Sequence, residues 1–486
     1  MSWINFLDQS VKNFPNKLAI IEQKSGVRFT YQELSDEVQK LAEKLNSRGV
    51  KIGDRVAYLA HNNIEHVTLF LACSRLGAIF VPLNFRLSCL ELEEILTRIE
   101  PKLFLGRGKW DLKFETLDQL VEQKSFVAPE VGNNLPLLML FTSGSTGQPK
   151  GVLFHGEMLL TNQHETCKGW GLQSSDVAMV ETPFFHTGGY NVLCLPLLYI
   201  GGTVIIAEKF DVNNFVNTLE SEKITVYFGV PTMFQMISED SRFNTVDFSS
   251  IRFFISGGAY CPVELIKTYQ EKGLMFKQGF GLTEVGPNCF LLAEEDAIKK
   301  VGSIGKPMPH TEVLLLKDDG SNAGVDEVGE LLLRGPHVTC GYWNEFDRYR
   351  ESLFDGYFKT GDLARRDDGG FYYIAGRKKD MYISGGENVY PAEVEKALRS
   401  LEGVHEAVVV PVPHEKWGEV GLALLRSDKN YELNELKSLL NDRLSRYKQP
   451  HFLQIVKEFP LLASGKIDRV QLKEKALNWA QKGEWV

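Results

Sequence analysis

Short apolar runs alternate with amphipathic helical segments from the N-terminus to about Gly376, and this alternation restricts the fold more than any other feature. The periodicity predicts helices over 33–48, 65–76 and 262–272, with another around Met233. Strand-like runs cover 55–60, 225–229 and 252–256. Strands interleaved with helices imply an α/β architecture in which helices cover the faces of β-sheets. At 486 residues the chain also exceeds what one hydrophobic core supports, so more than one domain is expected.

The pattern changes after Gly376. A polar segment, Arg377-Lys378-Lys379-Asp380, precedes a compact stretch with helices over 392–400 and 433–444 and strands over 406–411 and 452–456. The expected organisation is a large N-terminal domain of helix-covered β-sheets over 1–376, a connector over 377–380, and a small α+β C-terminal domain over 381–486.

Composition removes several classes of function. An apolar fraction of 43% and a charged fraction of 24% are ordinary for a globular chain, which sets disorder aside. Acidic residues outnumber basic ones, 63 to 54, and the net charge of −9 argues against a general nucleic-acid binder or an anionic-membrane binder. Seven scattered cysteines without a Cys-x-x-Cys pair exclude the common zinc frameworks and suit buried free thiols in a reducing compartment. The opening residues lack a basic region followed by an apolar run, so no signal peptide is expected. Residues 184–207 carry no Asp, Glu, Lys or Arg, a length that could span a bilayer. Gly188, Gly189, Pro196, Gly201 and Gly202 interrupt them, so a buried helix leading into a buried strand over 203–207 is expected instead. Together these readings place the protein in the cytoplasm with no integral membrane segment, and they leave a homodimer open.

The most informative stretch is Thr142-Ser143-Gly144-Ser145-Thr146-Gly147-Gln148-Pro149-Lys150-Gly151, which follows an apolar strand over 137–141. Small residues let backbone N–H groups approach a phosphate closely, hydroxyls add donors, and a lysine supplies charge. Ser/Gly-rich composition more often marks a surface loop. The buried strand before it and the lysine behind a rigid proline favour phosphate binding. The loop does not match the Walker pattern, because no Gly precedes Lys150 and no Ser or Thr follows it. No strand-linked G-x-G-x-x-G is present, which excludes the usual dinucleotide fold.

Residues 142–151, with His155 shortly after, resemble the signature of the adenylate-forming superfamily. That family includes acyl- and aryl-CoA synthetases, peptide-synthetase adenylation domains and firefly luciferase. The resemblance continues at Gly279-Phe280-Gly281-Leu282-Thr283-Glu284, Gly329-Glu330-Leu331-Leu332-Leu333-Arg334-Gly335 and Tyr357-Phe358-Lys359-Thr360-Gly361-Asp362-Leu363. Further blocks are Gly376-Arg377-Lys378-Lys379-Asp380, Ser384-Gly385-Gly386-Glu387-Asn388-Val389-Tyr390-Pro391 and Gly465-Lys466-Ile467-Asp468-Arg469. All stand in the family's order and span most of the chain. The stretches 253–259, 384–395 and 414–419 look most like those of bacterial fatty acyl-CoA synthetases.

The resemblance implies a two-step reaction. A carboxylate attacks the α-phosphate of ATP and expels pyrophosphate, and a thiol then attacks the acyl-AMP. The first step brings an anion to a polyanion, so positive charge and preorganised donors must offset repulsion. By resemblance, Thr142, Ser143, Gly144, Ser145, Thr146, Gly147 and Lys150 meet the phosphates, Glu284 is the Mg²⁺ ligand, and Thr283 lies beside the α-phosphate. Gly257, Gly258 and Ala259 pack on adenine with Gly279, Phe280 and Gly281, where Phe280 replaces a more usual tyrosine. Asp362 takes the ribose hydroxyls, a pairing that suits a carboxylate, and Arg377 also reaches the ribose. Lys466 is implied to be the catalytic lysine of adenylation. Lys379 matches the hinge about which the small, mobile domain turns, exchanging Lys466 for a coenzyme A loop of Ser384, Gly385, Gly386 and Glu387.

By the same resemblance, the acid pocket is expected at His186, Thr187 and Gly188, with Val230, Pro231 and Gly281 lining the same cavity, and His186 meeting the thiol or gating the pocket. Tyr190, Val192, Leu193, Phe228 and Phe234 nearby are apolar, and no arginine or lysine in these segments pairs with a second carboxylate. This favours an apolar monocarboxylic acid, fatty or aryl, joined to coenzyme A, with 2-succinylbenzoate as an alternative. A stand-alone enzyme loading a carrier protein, an adenylate sensor and a luciferase-like oxygenase are the rival readings. Lys150, Glu284, Asp362, Arg377 and Lys466 together count against the sensor. His414-Glu415-Lys416-Trp417-Gly418 lacks the second histidine of a zinc protease.

Overall fold

A computed structural model describes residues 3, 6–121, 128–142, 149–259, 261–385, 387–462 and 467–482. The chain divides into two compact units: Met1–Val313 with Leu333–Phe358, and Leu314–Leu332 with Lys359–Val486.

In the first unit, a seven-stranded sheet runs Phe276–Gln278, Phe253–Ser256, Val226–Gly229, Val177–Val180, Thr203–Ile206, Leu18–Glu22, Arg28–Thr30. Every neighbouring pair is parallel except the last. A five-stranded sheet runs Leu103–Gly106, Arg55–Leu59, Ile79–Pro82, Pro136–Thr142, Lys150–His155, parallel until its final antiparallel pair. Parallel strands covered on both faces read as unbroken apolar runs, and Thr203–Ile206 and Phe253–Ser256 are buried throughout. The helices start where local chemistry satisfies their free N–H groups. Thr30 and Glu33 form a capping box for Tyr31–Ser47, and Asn63 caps Ile64–Leu76.

The uncharged stretch folds as helices Thr187–Asn191 and Cys194–Ile200 followed by the buried strand Thr203–Ile206. No helix among the described residues is long and apolar enough to cross a membrane. All seven cysteines are free, but Cys89 and Cys340 are exposed, so the expectation of buried thiols holds for five.

In the second unit, one sheet runs Glu387–Val389, Tyr382–Ser384, Gly418–Ser427, Val404–His414, with Phe452–Ile455 parallel to Gly418–Ser427. Helices Pro391–Arg399, Leu433–Leu440 and Arg469–Lys482 complete it. The expected strand over 406–411 is one arm of a much longer hairpin. Pro411 and Pro413 read as a strand end, yet they face Gly421 and Glu419 across the ladder. Gly421 is required there, since a Cβ would lie 2.5 Å from the Tyr382 hydroxyl.

Candidate active site

The seven-stranded sheet delivers the predicted acid and adenine segments at the carboxyl ends of its parallel strands. Val177–Val180 leads towards His186, Val226–Gly229 into Val230 and Pro231, Phe253–Ser256 into Gly257, Gly258 and Ala259, and Phe276–Gln278 into Gly279 and Phe280. The crevice beyond the carboxyl ends of an open α/β sheet is where ligands bind. Gly257 N donates to Gly229 O at 3.3 Å and Gly279 N to Ser256 O at 2.9 Å, which ties three of these ends together. A Cβ on Gly188 would lie 3.1 Å from the Phe228 ring, and one on Gly257 would lie 3.2 Å from it. The Phe228 ring therefore separates the predicted acid segment from the predicted adenine segment, with a glycine on either side.

Pro136–Thr142 and Lys150–His155 form an antiparallel hairpin with Thr142 opposite Lys150. Ser143, Gly144, Ser145, Thr146 and Gly147, which follow Thr142 in sequence, lie outside the described residues. Thr142 Oγ1 is buried and has no hydrogen-bond partner among the described residues. Lys150 Nζ donates to the Tyr342 hydroxyl at 3.2 Å, stands 3.6 Å from Glu284 Oε1, and lies 4.6 Å over the Tyr342 ring. The Tyr342 hydroxyl donates in turn to Glu284 Oε1 at 3.2 Å. Burial, then the charge of Glu284, raises the Tyr342 hydroxyl well above its ordinary pKa, so it remains a protonated donor. Trp343 N donates to Gly151 O and Leu153 N to Gly341 O, which pins the segment around Tyr342 along the lysine strand.

Thr283 and Glu284 occupy the turn between Phe280–Leu282 and Gly286–Leu291, where Leu282 faces Gly286. Gly281 has no room for a side chain: a Cβ would come within 2.2 Å of Gly286 O and 2.3 Å of Pro287 C. Thr339 N donates to Glu284 O at 2.7 Å and anchors the turn from below. Tyr342 escaped sequence reasoning. Its signal was the Gly341-Tyr342-Trp343 run shortly after the Arg334-Gly335 block.

In the second unit, Asp362 faces Arg377 across the antiparallel pair Tyr357–Arg366 and Tyr372–Arg377, with Arg377 Nε 2.6 Å from Asp362 Oδ1. Asp362 is buried, and its N–H donates to Thr360 Oγ1 at 3.1 Å. Lys379 sits in the short 3-10 turn Lys378–Asp380, whose Lys378 holds Glu330 and Asp318 at 3.0 Å each. Ser384 pairs with Glu387 in a tight hairpin, with Gly385 at φ +60° in its turn; Gly386 lies outside the described residues. A Cβ on Gly385 would meet the Trp417 ring at 2.8 Å, and Gly385 N donates to Trp417 O at 2.9 Å. Trp417 was another residue the sequence reading did not assign here.

Lys466 lies outside the described residues. Three positions on, Arg469 reaches Glu395 Oε2 at 2.8 Å, while Val409 N donates to Glu395 Oε1 at 2.9 Å. Burial alone would raise the Glu395 carboxyl, but Arg469 and then Arg399 hold it below its ordinary value.

His186 precedes the helix Thr187–Asn191, with the Phe185 ring 4.6 Å from its own. Val230 precedes Pro231–Glu239, whose proline takes the first helical position. Two of the apolar residues near the predicted acid segment are buried in the core. Tyr190 is fully buried and donates to His66 O at 3.1 Å, and Phe234 packs on Phe276 at 4.7 Å inside an aromatic cluster. Behind the helix Thr187–Asn191 stands a polar group that sequence reasoning missed. Asn162 Nδ2 donates to Asn191 O at 2.7 Å, Asn288 Nδ2 to Thr166 Oγ1 at 2.8 Å, and Asn191 Nδ2 to Thr187 Oγ1 at 3.1 Å. The signal was polar residues on the inward face of Gly156–Trp170.

The chain is 37% identical over 466 residues to a feruloyl-CoA synthase from an Amycolatopsis species, covering 93% of this chain and 94% of the relative. It is 32% identical over 488 residues to a long-chain-fatty-acid–CoA ligase from Mycobacterium tuberculosis, covering 95% and 96%. Its fold superposes with a TM-score of 0.88 on O-succinylbenzoate coenzyme A synthetase from Bacillus subtilis in complex with ATP and magnesium ion, at 30% identity over 96% of this chain and 99% of that one. The profile described as AMP-binding enzyme matches residues 7–343, and that of the AMP-binding enzyme C-terminal domain matches 393–466. On these matches, and on the signature blocks that it carries in order, the chain belongs to the AMP-binding enzyme family of adenylate-forming enzymes.

Proposed function

We propose that the chain is an ATP-dependent acid–coenzyme A ligase: carboxylate and ATP give acyl-AMP and pyrophosphate, and coenzyme A then displaces AMP to give the thioester. The observation that carries this reading is the grouping of Lys150, Glu284 and Tyr342 beside the strand end at Thr142. One cation, one carboxylate and one neutral donor, all largely withdrawn from water, are the groups needed to hold a magnesium-bound polyphosphate. Magnesium is commonly held by one or two carboxylates together with substrate phosphates and water, and Glu284 fits that donor set. Mg²⁺ bound there would neutralise phosphate charge. Lys150 then positions the phosphates and Thr283 the α-phosphate, while Asp362 and Arg377 take the ribose hydroxyls.

Lys466 bridges the carboxylate and the phosphate during adenylation. Ser384, Gly385, Gly386 and Glu387 serve the thiol step, with Lys379 as the hinge between 1–376 and 381–486. The acid, taken at His186, Thr187 and Gly188, is a monocarboxylic acid with an apolar body, fatty or aryl. The relatives named for feruloyl and long-chain fatty acids support this class.

The test is AMP release from ATP and Mg²⁺ against a panel of acids, each with and without coenzyme A. AMP release that needs both an acid and coenzyme A supports the ligase. Acid-dependent pyrophosphate exchange that ignores coenzyme A points to a carrier-protein loader.

A further inference from the structure

A small cavity borders the turn that carries Thr283 and Glu284. It measures about 10 Å³, and Val285, the residue after Glu284, lines it together with Asn162, Glu165, Thr311 and His337. Asn162 and Glu165 stand three positions apart in Gly156–Trp170, so they share one face of that helix. Glu165 and His337 are 5% and 6% exposed. Each keeps one buried atom, Glu165 Oε2 and His337 Nδ1, without a hydrogen-bond partner among the described residues. Buried polar atoms are nearly always satisfied, and a polar cavity of this size holds a single water with two or more partners.

The surrounding hydrogen bonds fix which atoms are spare. Glu165 Oε1 already meets His164 Nδ1 at 3.0 Å and His310 Nε2 at 3.2 Å. His337 Nε2 is 3.4 Å from Thr311 Oγ1. Burial, then His310, pushes His337 down to about 4, so its ring is neutral at ordinary pH and only one nitrogen carries a proton. With the Thr311 hydroxyl donating to Nε2, that proton sits on Nδ1. A water in the cavity then accepts from His337 Nδ1 and donates to Glu165 Oε2. His337 is placed to pass this constraint to Glu284. Two residues on, Thr339 N donates to Glu284 O at 2.7 Å. His337 O would lie 3.8 Å from a Cβ on Gly286, at the end of the same turn. The ring itself packs on Gly335, where a Cβ would come within 2.6 Å of His337 Nδ1 and 2.3 Å of His310 O.

Resting on the acid–coenzyme A ligase reading, in which Glu284 holds magnesium, we propose that Glu165 and His337 share one buried water and that this bridge positions the Thr283–Glu284 turn. Both are positioning residues. They act on the metal carboxylate through the backbone from His337 to Thr339, without touching the nucleotide. Outer partners that orient a metal ligand commonly change metal affinity by about ten- to hundredfold when removed.

Two measurements on the full chain test this. A crystal structure should show one water within hydrogen-bond distance of both Glu165 Oε2 and His337 Nδ1. An empty cavity, or a metal ion in it, would overturn the bridge. Isothermal titration then compares Mg·ATP with ATP alone. His337→Phe and Glu165→Leu should each weaken Mg·ATP binding by about tenfold and leave the binding of ATP without Mg²⁺ unchanged. The double variant should lose no more than the larger single loss, because both changes remove the same water. Glu165→Gln keeps an oxygen for that water and should bind Mg·ATP within about threefold of wild type. Losses that add in the double variant, equal losses with and without Mg²⁺, or unchanged Mg·ATP binding in both single variants would overturn the proposal. Neither measurement depends on turnover. If no acid releases AMP, the ligase reading fails on its own, and the water and the titration still decide the bridge.

Discussion

Lys150 and Glu284 stand 3.6 Å apart, and the Tyr342 hydroxyl is bonded to both. Opposite charges at this distance, 18% and 13% exposed, hold each other in place. Bound nucleotide would have to share them. Tyr342 is the mediator, since its hydroxyl accepts from the lysine and donates to the carboxylate. Tyr342→Phe keeps the ring against Lys150 and removes only the hydroxyl. The KM for ATP should rise by about five- to tenfold, the worth of one such bond, with a smaller change in kcat. Initial rates at saturating acid check this, and an unchanged KM for ATP would remove Tyr342 from the site.

The turn that carries Thr283 and Glu284 depends on Gly281, whose missing Cβ is replaced by backbone at 2.2 Å. Gly281→Ala forces a carbonyl and a proline apart, and neither can rotate away. It should lower AMP release by about 100-fold, because small displacements of reacting groups have effects of that size, and should lower the melting temperature as well. Gly279→Ala is the contrast. Its Cβ meets only Ile255 and Trp170 side chains at 3.6 Å, ordinary contact, so its melting temperature should match wild type.

These cases mark what the sequence could disclose. Strands such as Phe253–Ser256 were legible within a residue or so, because a parallel sheet covered on both faces demands an unbroken apolar run. Asp362 and Arg377 were legible as separate motifs, but their 2.6 Å pairing follows from strand register. Tyr342 was not legible, since it meets Lys150 across 192 positions. Asn288 bonds Thr166 across 122 positions, and no local periodicity reports such a contact. The long hairpin Val404–His414 and Gly418–Ser427 hid behind two prolines that resemble a strand end.

Glu181 directly follows the strand Val177–Val180 and is buried, with the Tyr227 hydroxyl donating to it at 2.6 Å and Asp211 N at 3.3 Å. Burial pushes its carboxyl up to about 8, and these two donors offset only part of that shift. A carboxyl raised in the folded state stabilises most below its ordinary value of 4.5, and that contribution is lost as pH rises to about 8. Glu181→Gln should therefore match wild type near pH 4.5, melt progressively higher up to pH 8, and hold a constant lead above it. A lead on the order of a few °C is expected. Melting curves across pH check this, and a lead independent of pH would contradict it.

Arg469 anchors the helix that follows Lys466 by its 2.8 Å bond to buried Glu395. Arg469→Leu leaves that carboxylate with Arg399, whose guanidinium is 3.9 Å away. Arg469 is 38% exposed and Glu395 keeps Arg399 and Val409 N, so losing this one charged hydrogen bond costs about 1–2 kcal/mol. Denaturant unfolding of the variant should show that loss, and Glu395→Gln added to Arg469→Leu should recover part of it. No recovery would mean that the guanidinium acts by packing alone.

The central claim is that one chain runs two separable half-reactions, adenylation through Lys466 and thiol capture through the loop at Gly385. Single-turnover measurement of both half-reactions in Lys466→Ala and Gly385→Ala, with acyl-AMP supplied for the second, tests it most directly. Lys466→Ala should abolish acyl-AMP formation and leave thioester formation from supplied acyl-AMP near wild type. Gly385→Ala, with its Cβ against Trp417, should show the reverse. Equal losses in both half-reactions for either variant would contradict the account.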